Sequence, residues 1–324
     1  MNNCRTFEYL CMLCRHYSQA HRQKRRFYYA FITKLKKFAK TYCIFILDVI
    51  QCEHQKTNNR KGKTKMKKII SLILCVALCF TLAFSLTSCA KGKSLDEIKE
   101  AGKMVVATSP DFAPFEYLEG TEVVGIELDI MDLIADELGI ELEIVEIAFD
   151  SVLPGVQTGK YDCGMSGITV TPAREENVLF TTPYYVAAQA IVVKADSSIS
   201  SKADLEGKKV SVQLGTTADD FCREEGYTVD SYEANADAKT ALTSGKVDAW
   251  VVDNLTAKKM CEGDSSVKIL SETMTEEPYA FAFAFGSETV VEAINPILKK
   301  LIADGTIEAI FSSYGEGYEA PKAN

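Results

Sequence analysis

Histidine is missing from most of this 324-residue chain: His16, His21 and His54 are the three, and none follows them. From Met66 onward there can be no Ser-His-Asp or Cys-His arrangement and no histidine-ligated zinc site. Cysteine thins out in the same way, since of 11 only Cys163, Cys222 and Cys261 lie beyond Cys89. That is no disulfide scaffold. One bridge, such as Cys222 with Cys261, is possible but not demanded, and small buried thiols are the simpler expectation. Tryptophan occurs once, at Trp250. No GxxxxGK[ST] run is present, which excludes a Walker-type ATPase, and no repeat with a period of roughly 20–50 residues is found.

What is present is divided unevenly. The net charge of -9 hides a basic start and an acidic body. Residues 1–65 hold 15 Lys and Arg against three acids, whereas from Cys89 on 42 Asp and Glu outnumber 19 Lys and Arg. A body so acidic repels phosphate backbones, so no nucleic acid partner is expected. Residues 66–88 open with Met66 and two lysines, continue through the apolar run Ile69–Leu86, and reach Leu86-Thr87-Ser88-Cys89. A short positive region, an apolar core and small residues before a cut describe a secretory signal peptide. The alternative is an uncleaved membrane helix, since 18 apolar residues just span a bilayer. Residues 1–65 ahead of Met66 read as an upstream extension that arises from a mis-assigned start codon; the alternative is a basic cytoplasmic extension. Cys11, Cys14, His16 and His21 cluster there without the paired spacing of a zinc finger, and no metal site is expected.

Beyond Ser94 strands alternate with helices. Lys103–Thr108, Glu141–Ile147, Tyr161–Met165, Ala190–Lys194, Lys208–Gln213, Val247–Val252 and Val267–Leu270 read as strands, from β-branched runs or period-two alternation. Gly125–Leu138 carries a helical stripe of Ile126, Ile130, Leu133, Ile134 and Leu138, closed by Gly139. Thr217–Glu225, Asn235–Ser244, Glu288–Ala303 and Thr306–Tyr314 read as further helices. The alternation predicts an α/β architecture with mainly parallel sheets.

Several segments in fixed order resemble the family 3 solute-binding proteins, the polar amino-acid receptors of ABC importers. They are Ala107–Phe115 (ATSPDFAPF), Gly125–Ile130 (GIELDI), Asp162–Arg174 (DCGMSGITVTPAR), Thr181–Tyr185 (TTPYY), Val212–Thr217 (VQLGTT) and Gly245–Ala249 (GKVDA). Leu86–Cys89 likewise resembles the lipobox of bacterial lipoproteins, which implies that Cys89 is lipidated and becomes the first residue of the mature chain. Residues 89–94 then form a tether, and the membrane partner is the lipid anchor alone.

The resemblance implies the two-lobe periplasmic-binding-protein (Venus-flytrap) fold of type II, α/β in class, with two crossing hinge strands. Lobe 1 is expected at 95–185 plus 284–324 and lobe 2 at 191–278, with crossings near Tyr185–Ala190 and Tyr279–Phe283. It also implies the site. Arg174 grips the ligand's α-carboxylate, as a planar guanidinium does bidentately, helped by N–H groups at Thr169 and at Thr217, where a helix starts. Asp253 takes the α-ammonium; its plainer reading is a helix N-cap. The Gly167 carbonyl and the Thr169 hydroxyl add acceptors, with Ser166 beside them. Phe112 and Phe149 sandwich the ligand's side chain, and Ser109, Gln213 and Thr216 complete the pocket. Receptors for lysine and ornithine in the family commonly carry an aspartate where Ser109 stands. A polar, uncharged amino acid is therefore favoured, although Asp111 and Glu116 offer an anion nearby.

The expected function is an extracellular or periplasmic receptor, monomeric and without cofactor, that captures a free amino acid by lobe closure and delivers it to ABC transporter permease subunits on separate chains. The alternatives are a cyclohexadienyl (prephenate or arogenate) dehydratase-like enzyme on the same fold and a ligand-sensing module.

Overall fold

A computed structural model of the chain describes residues 92–321. The readings placed on residues 1–91, the signal peptide and Cys89 among them, lie outside the described residues. No helix among the described residues is long and apolar enough to cross a membrane.

The described chain starts against the body rather than as a free tether. Gly92 is buried and donates its N–H to the Phe285 carbonyl at 3.0 Å. Lys93 pairs with Asp162 at 3.0 Å. Ser94 caps helix α1 (Leu95–Ala101) in a capping box with Glu97, which satisfies orphan N–H groups at both ends of the exchange. Of the expected tether at 89–94, only Gly92, Lys93 and Ser94 are among the described residues, and these three are bonded to the body.

Strand β1 (Lys103–Thr108) leads to a small antiparallel sheet of β2 (Asp111–Phe112), β3 (Glu116–Glu119) and β4 (Glu122–Val124). Helix α2 (Ile126–Leu138) buries Ile126, Ile130 and Ile134 completely, about 2 kcal/mol each by area removed from water. It stops at Gly139, whose φ of 70° supplies the left-handed cap. Then come β5 (Glu141–Glu146), α3 (Phe149–Gln157), β6 (Cys163–Gly164), the single turn α4 (Pro172–Glu175), β7 (Leu179–Phe180) and β8 (Tyr185–Ala187). The chain continues through β9 (Gln189–Lys194), a 3-10 turn at Lys202–Leu205, β10 (Lys209–Gln213), α5 (Thr217–Glu224), β11 (Thr228–Tyr232), α6 (Asn235–Thr243) and β12 (Ala249–Asp253). It closes with α7 (Asn254–Met260), β13 (Val267–Thr273), β14 (Glu277–Tyr279), β15 (Ala282–Phe283), α8 (Glu288–Ala303) and α9 (Thr306–Ser313).

Two five-stranded sheets result, in the orders β5-β1-β6-β15-β7 and β11-β10-β12-β9-β13. Each has a parallel trio, β5/β1/β6 and β11/β10/β12. Each is interrupted by one antiparallel strand, β15 or β9. Those two strands are the ones that return to a sheet directly after a crossing. β8 and β14 are the crossings, and they pair antiparallel with Tyr185 opposite Tyr279. The second crossing sits earlier than the Tyr279–Phe283 expected, because Ala282 and Phe283 already pair with β6 and β7.

Alternation along β12 sends Trp250 and Val252 to one apolar cluster and Ala249 and Val251 to the other. Among the described residues Cys163, Cys222 and Cys261 are all free thiols, so Cys222 and Cys261 do not pair. Burial pushes the Cys222 thiol up to about 12, which leaves it inert at neutral pH.

Candidate functional site

The ends of the parallel strands from both sheets meet at one cleft. Thr108 ends β1 and Gln213 ends β10, while Asp253 ends β12. The loops that follow carry polar groups inward, as expected at the carboxyl edge of an open α/β sheet. A narrow cavity of about 10 Å³, room for roughly one water, lies there. From the first sheet's side it is walled by Phe112, Phe149, Ser166, Gly167, Thr169 and Arg174. From the other it is walled by Gln213, Thr216, Thr217 and Asp253. Of the side chains expected at the site, Ser109 alone is absent from the wall. It stands behind Ser166, donating its N–H to the Ser166 hydroxyl at 3.1 Å and its own hydroxyl to Asp111 at 3.1 Å.

Arg174 projects from α4, which Thr171 caps and Pro172 starts. Its guanidinium donates to the Thr169 carbonyl at 2.9 Å and reaches across to the Gly215 carbonyl at 3.2 Å. The Phe149 ring lies 5.8 Å from its central carbon. Burial lowers its pKa from the usual guanidinium value, although it stays a cation at any physiological pH. Opposite, Thr216 caps α5 by accepting the Asp219 N–H at 3.2 Å, so the N-terminal amides of an eight-residue helix face the cleft beside Thr217.

Asp253 is 8% exposed. It stands at the N-cap position of α7 but makes no capping hydrogen bond with its side chain. Its Oδ1 instead accepts from Gln189 Nε2 at 3.1 Å. Burial first, and then Glu277, push its carboxyl up to about 7. Glu277 is 3% exposed and its Oε2 has no hydrogen-bond partner among the described residues; Gln189 Oε1 has none either. Sequence reasoning missed Gln189 and Glu277. Both lie on the strands that cross between the sheets or return from a crossing, which no local pattern marks as functional.

Three cleft side chains have spent their hydrogens within the protein. Gln213 Nε2 donates to Asp111 at 3.2 Å and to the Glu233 carbonyl at 3.1 Å, while its Oε1 accepts from Asn235 Nδ2 at 2.9 Å. The Thr216 hydroxyl donates to the Gln213 carbonyl at 2.8 Å, and the Ser166 hydroxyl donates to Glu116 at 2.9 Å. Each can therefore offer the cleft only an acceptor. Asp111 spans the cleft, accepting the Asn235 N–H at 2.8 Å. Glu116, expected near the ligand, lies behind Ser166 and is fully buried.

Residues 104–317 match the profile of the bacterial extracellular solute-binding proteins, family 3, and this chain belongs to that family. It is 31% identical to the arginine-binding extracellular protein ArtP of Bacillus subtilis over 240 residues, covering 72% of this chain and 93% of that protein. It is 31% identical to the ABC transporter glutamine-binding protein GlnH of the same organism, over 69% of this chain and 85% of that one. Among solved structures, a mutant of ArgBP from T. maritima superposes with a TM-score of 0.66 at 35% identity, covering 69% of this chain and 99% of that one. An ancestral amino acid-binding protein described as a precursor of cyclohexadienyl dehydratase superposes with a TM-score of 0.64 at 35% identity, over 68% of this chain and 97% of its own. The chain thus has the two-lobe fold of the family and is an amino-acid-binding receptor of the ABC-transporter class.

Proposed function

We propose that Arg174 and Asp253 hold the carboxylate and the ammonium of one free L-amino acid between the lobes. The observation that carries this is the pairing of a cation and an anion, Arg174 from α4 and Asp253 from the end of β12, in the wall of one narrow cavity. A zwitterion matches that pairing, and the orphaned acceptors of Gln189 and Glu277 beside Asp253 suit an ammonium. Phe112 and Phe149 flank the ligand's side chain. Ser166, Gln213 and Thr216 present acceptors to it, so that side chain donates hydrogen bonds. Amide and cationic side chains qualify, whereas carboxylates do not. The printed names of relatives, arginine-binding and glutamine-binding, fall in that class.

Capture works by closure. Lobe 1 is built on the sheet β5-β1-β6-β15-β7 and lobe 2 on the sheet β11-β10-β12-β9-β13; β8 and β14 are the hinge. Bringing the lobes together removes water from the ion pairs and strengthens them. The receptor is a monomer that turns over nothing, and it presents its amino acid to a permease on separate chains. It is held at the outer face of the membrane by lipid on Cys89 after removal of residues 66–88. The lysines at 67 and 68, the apolar run and the Leu86–Cys89 ending support the anchor. Mass spectrometry of membrane-extracted protein should find acylated Cys89.

The binding reading is tested by thermal shift with each of the twenty L-amino acids, followed by calorimetry and product analysis on the same sample. Stabilisation by glutamine- or arginine-like side chains with the amino acid recovered intact is expected. Stabilisation by aspartate or glutamate alone would overturn the acceptor-wall argument. Conversion of prephenate or arogenate would favour the dehydratase reading.

A further inference from the structure

Directly behind the cleft, two glutamates with no exposure at all face each other. Glu116 comes from β3 and Glu127 from the first turn of α2. Glu127 Oε2 accepts the Gly167 N–H at 2.9 Å, and its Oε1 accepts the Tyr184 hydroxyl. Glu116 Oε1 accepts the Ser166 hydroxyl at 2.9 Å. The two carboxyl groups lie close enough to act on each other's charge. No Lys or Arg is among the partners of either. The groups that face the pair are Asp111 from β2, Cys163 from β6, and Tyr184, with Tyr185 beyond it.

Two carboxylates in contact in a dry interior cannot both ionise. Glu127 has both oxygens filled by donors, so it is the anion. No donor reaches Glu116 Oε2 among the described residues, so Glu116 is the member of the pair that carries the proton. Burial holds the Glu116 carboxyl well above its ordinary range, as this division requires.

The segment these acids hold is demanding. Gly167 has φ of 53°, and a Cβ there would lie 2.5 Å from the Phe112 ring. Its peptide must stand in one orientation for the neighbouring Ser166, Gly167 and Thr169 to line the cleft, and the Glu127 carboxylate supplies the acceptor that selects it. We infer that Glu116 and Glu127 share one proton as a buried pair that clamps the Ser166–Gly167 segment in its amino-acid-accepting geometry, which makes both of them positioning residues for capture. The inference rests on the cleft reading above.

The test compares Glu127→Gln with Glu116→Gln. An amide at 116 keeps an acceptor for Ser166 and a donor for Glu127. An amide at 127 lacks the second acceptor that Gly167 and Tyr184 together require. Hydrogen exchange of residues 164–170 is measured without any amino acid, and L-arginine and L-glutamine are titrated by calorimetry, with Arg174→Ala as the control. We expect Glu127→Gln to exchange that segment at least about tenfold faster and to bind at least about tenfold more weakly, with Glu116→Gln within about threefold of wild type in both.

A pH series separates a shared proton from simple core damage. A raised carboxyl contributes fully at acid pH, and its contribution is lost as pH rises through that raised titration. Wild-type thermal stability should therefore fall more steeply with rising pH, above the ordinary carboxylate range, than that of Glu116→Gln, which keeps only the fall due to Asp253. Unchanged exchange and affinity in Glu127→Gln overturn the inference, as do equal losses in both variants. Wild-type binding by Arg174→Ala instead sinks the cleft reading, and with it the link from this pair to capture.

Discussion

Asp253→Asn separates binding from stability more sharply than any other change at this site. The carboxyl is pushed up to about 7 by burial and by Glu277, yet it must be ionised to hold an ammonium. Below that value every pH unit leaves about tenfold less of the competent form, so affinity at about pH 5 should be about a hundredfold weaker than on the plateau above pH 7, or about 2.7 kcal/mol. The ordinary value is 3.8, so the folded value is the raised one. A raised carboxyl stabilises the fold at acid pH, and that contribution disappears as pH rises through about 7. At neutral pH and above, Asp253 therefore costs the fold up to about 4 kcal/mol, and an amide of the same shape removes that cost. Asp253→Asn should unfold at higher urea than wild type at about pH 8 when no amino acid is added, while binding at least about a hundredfold more weakly. Calorimetry across pH 5 to 8 and urea titrations on both proteins measure the two effects. A wild-type affinity that is flat over that range, or a variant less stable than wild type at pH 8, refutes the reasoning.

Arg174→Ala should keep the fold, since the side chain is half-buried and ends in hydrogen bonds to two carbonyls, but lose about 3–5 kcal/mol of binding by leaving the ligand carboxylate unpaired; calorimetry reads the loss and circular dichroism the fold. Gly167→Ala should cost at least about 1–2 kcal/mol of stability from the left-handed backbone alone, and more from the displaced Phe112 ring; urea unfolding and the affinity should fall together. Trp250 is fully buried and lies on the face of β12 opposite to Ala249 and Val251, so the amino acid should change its emission slightly and saturably without direct quenching; the change should vanish in Asp253→Ala even at high amino-acid concentration.

Local pattern alone determined much of this molecule. Strand Lys103–Thr108 and helix Glu288–Ala303 appear with the limits read from their apolar spacing, because side-chain burial repeats at the period of the backbone that carries it. Arg174 and Asp253 were singled out by the resemblance to the family 3 solute-binding proteins rather than by local pattern, and both line the cavity. Strand Thr228–Tyr232 was missed because its half-buried polar residues lack an apolar signature, and its place is decided by pairing with β10.

Tertiary structure alone decided the rest. It set the antiparallel direction of β9 and β15, which follows from where the crossings deliver the chain. It also joined Asp111 to Asn235, 124 positions apart, and Glu127 to Gly167, 40 apart. Periodicity reports which face of an element is buried, but not what another element brings to that face. A buried carboxylate, a spent hydroxyl and a filled amide are properties of such meetings, so the charge and donor balance of the cleft became readable only once the chain was folded.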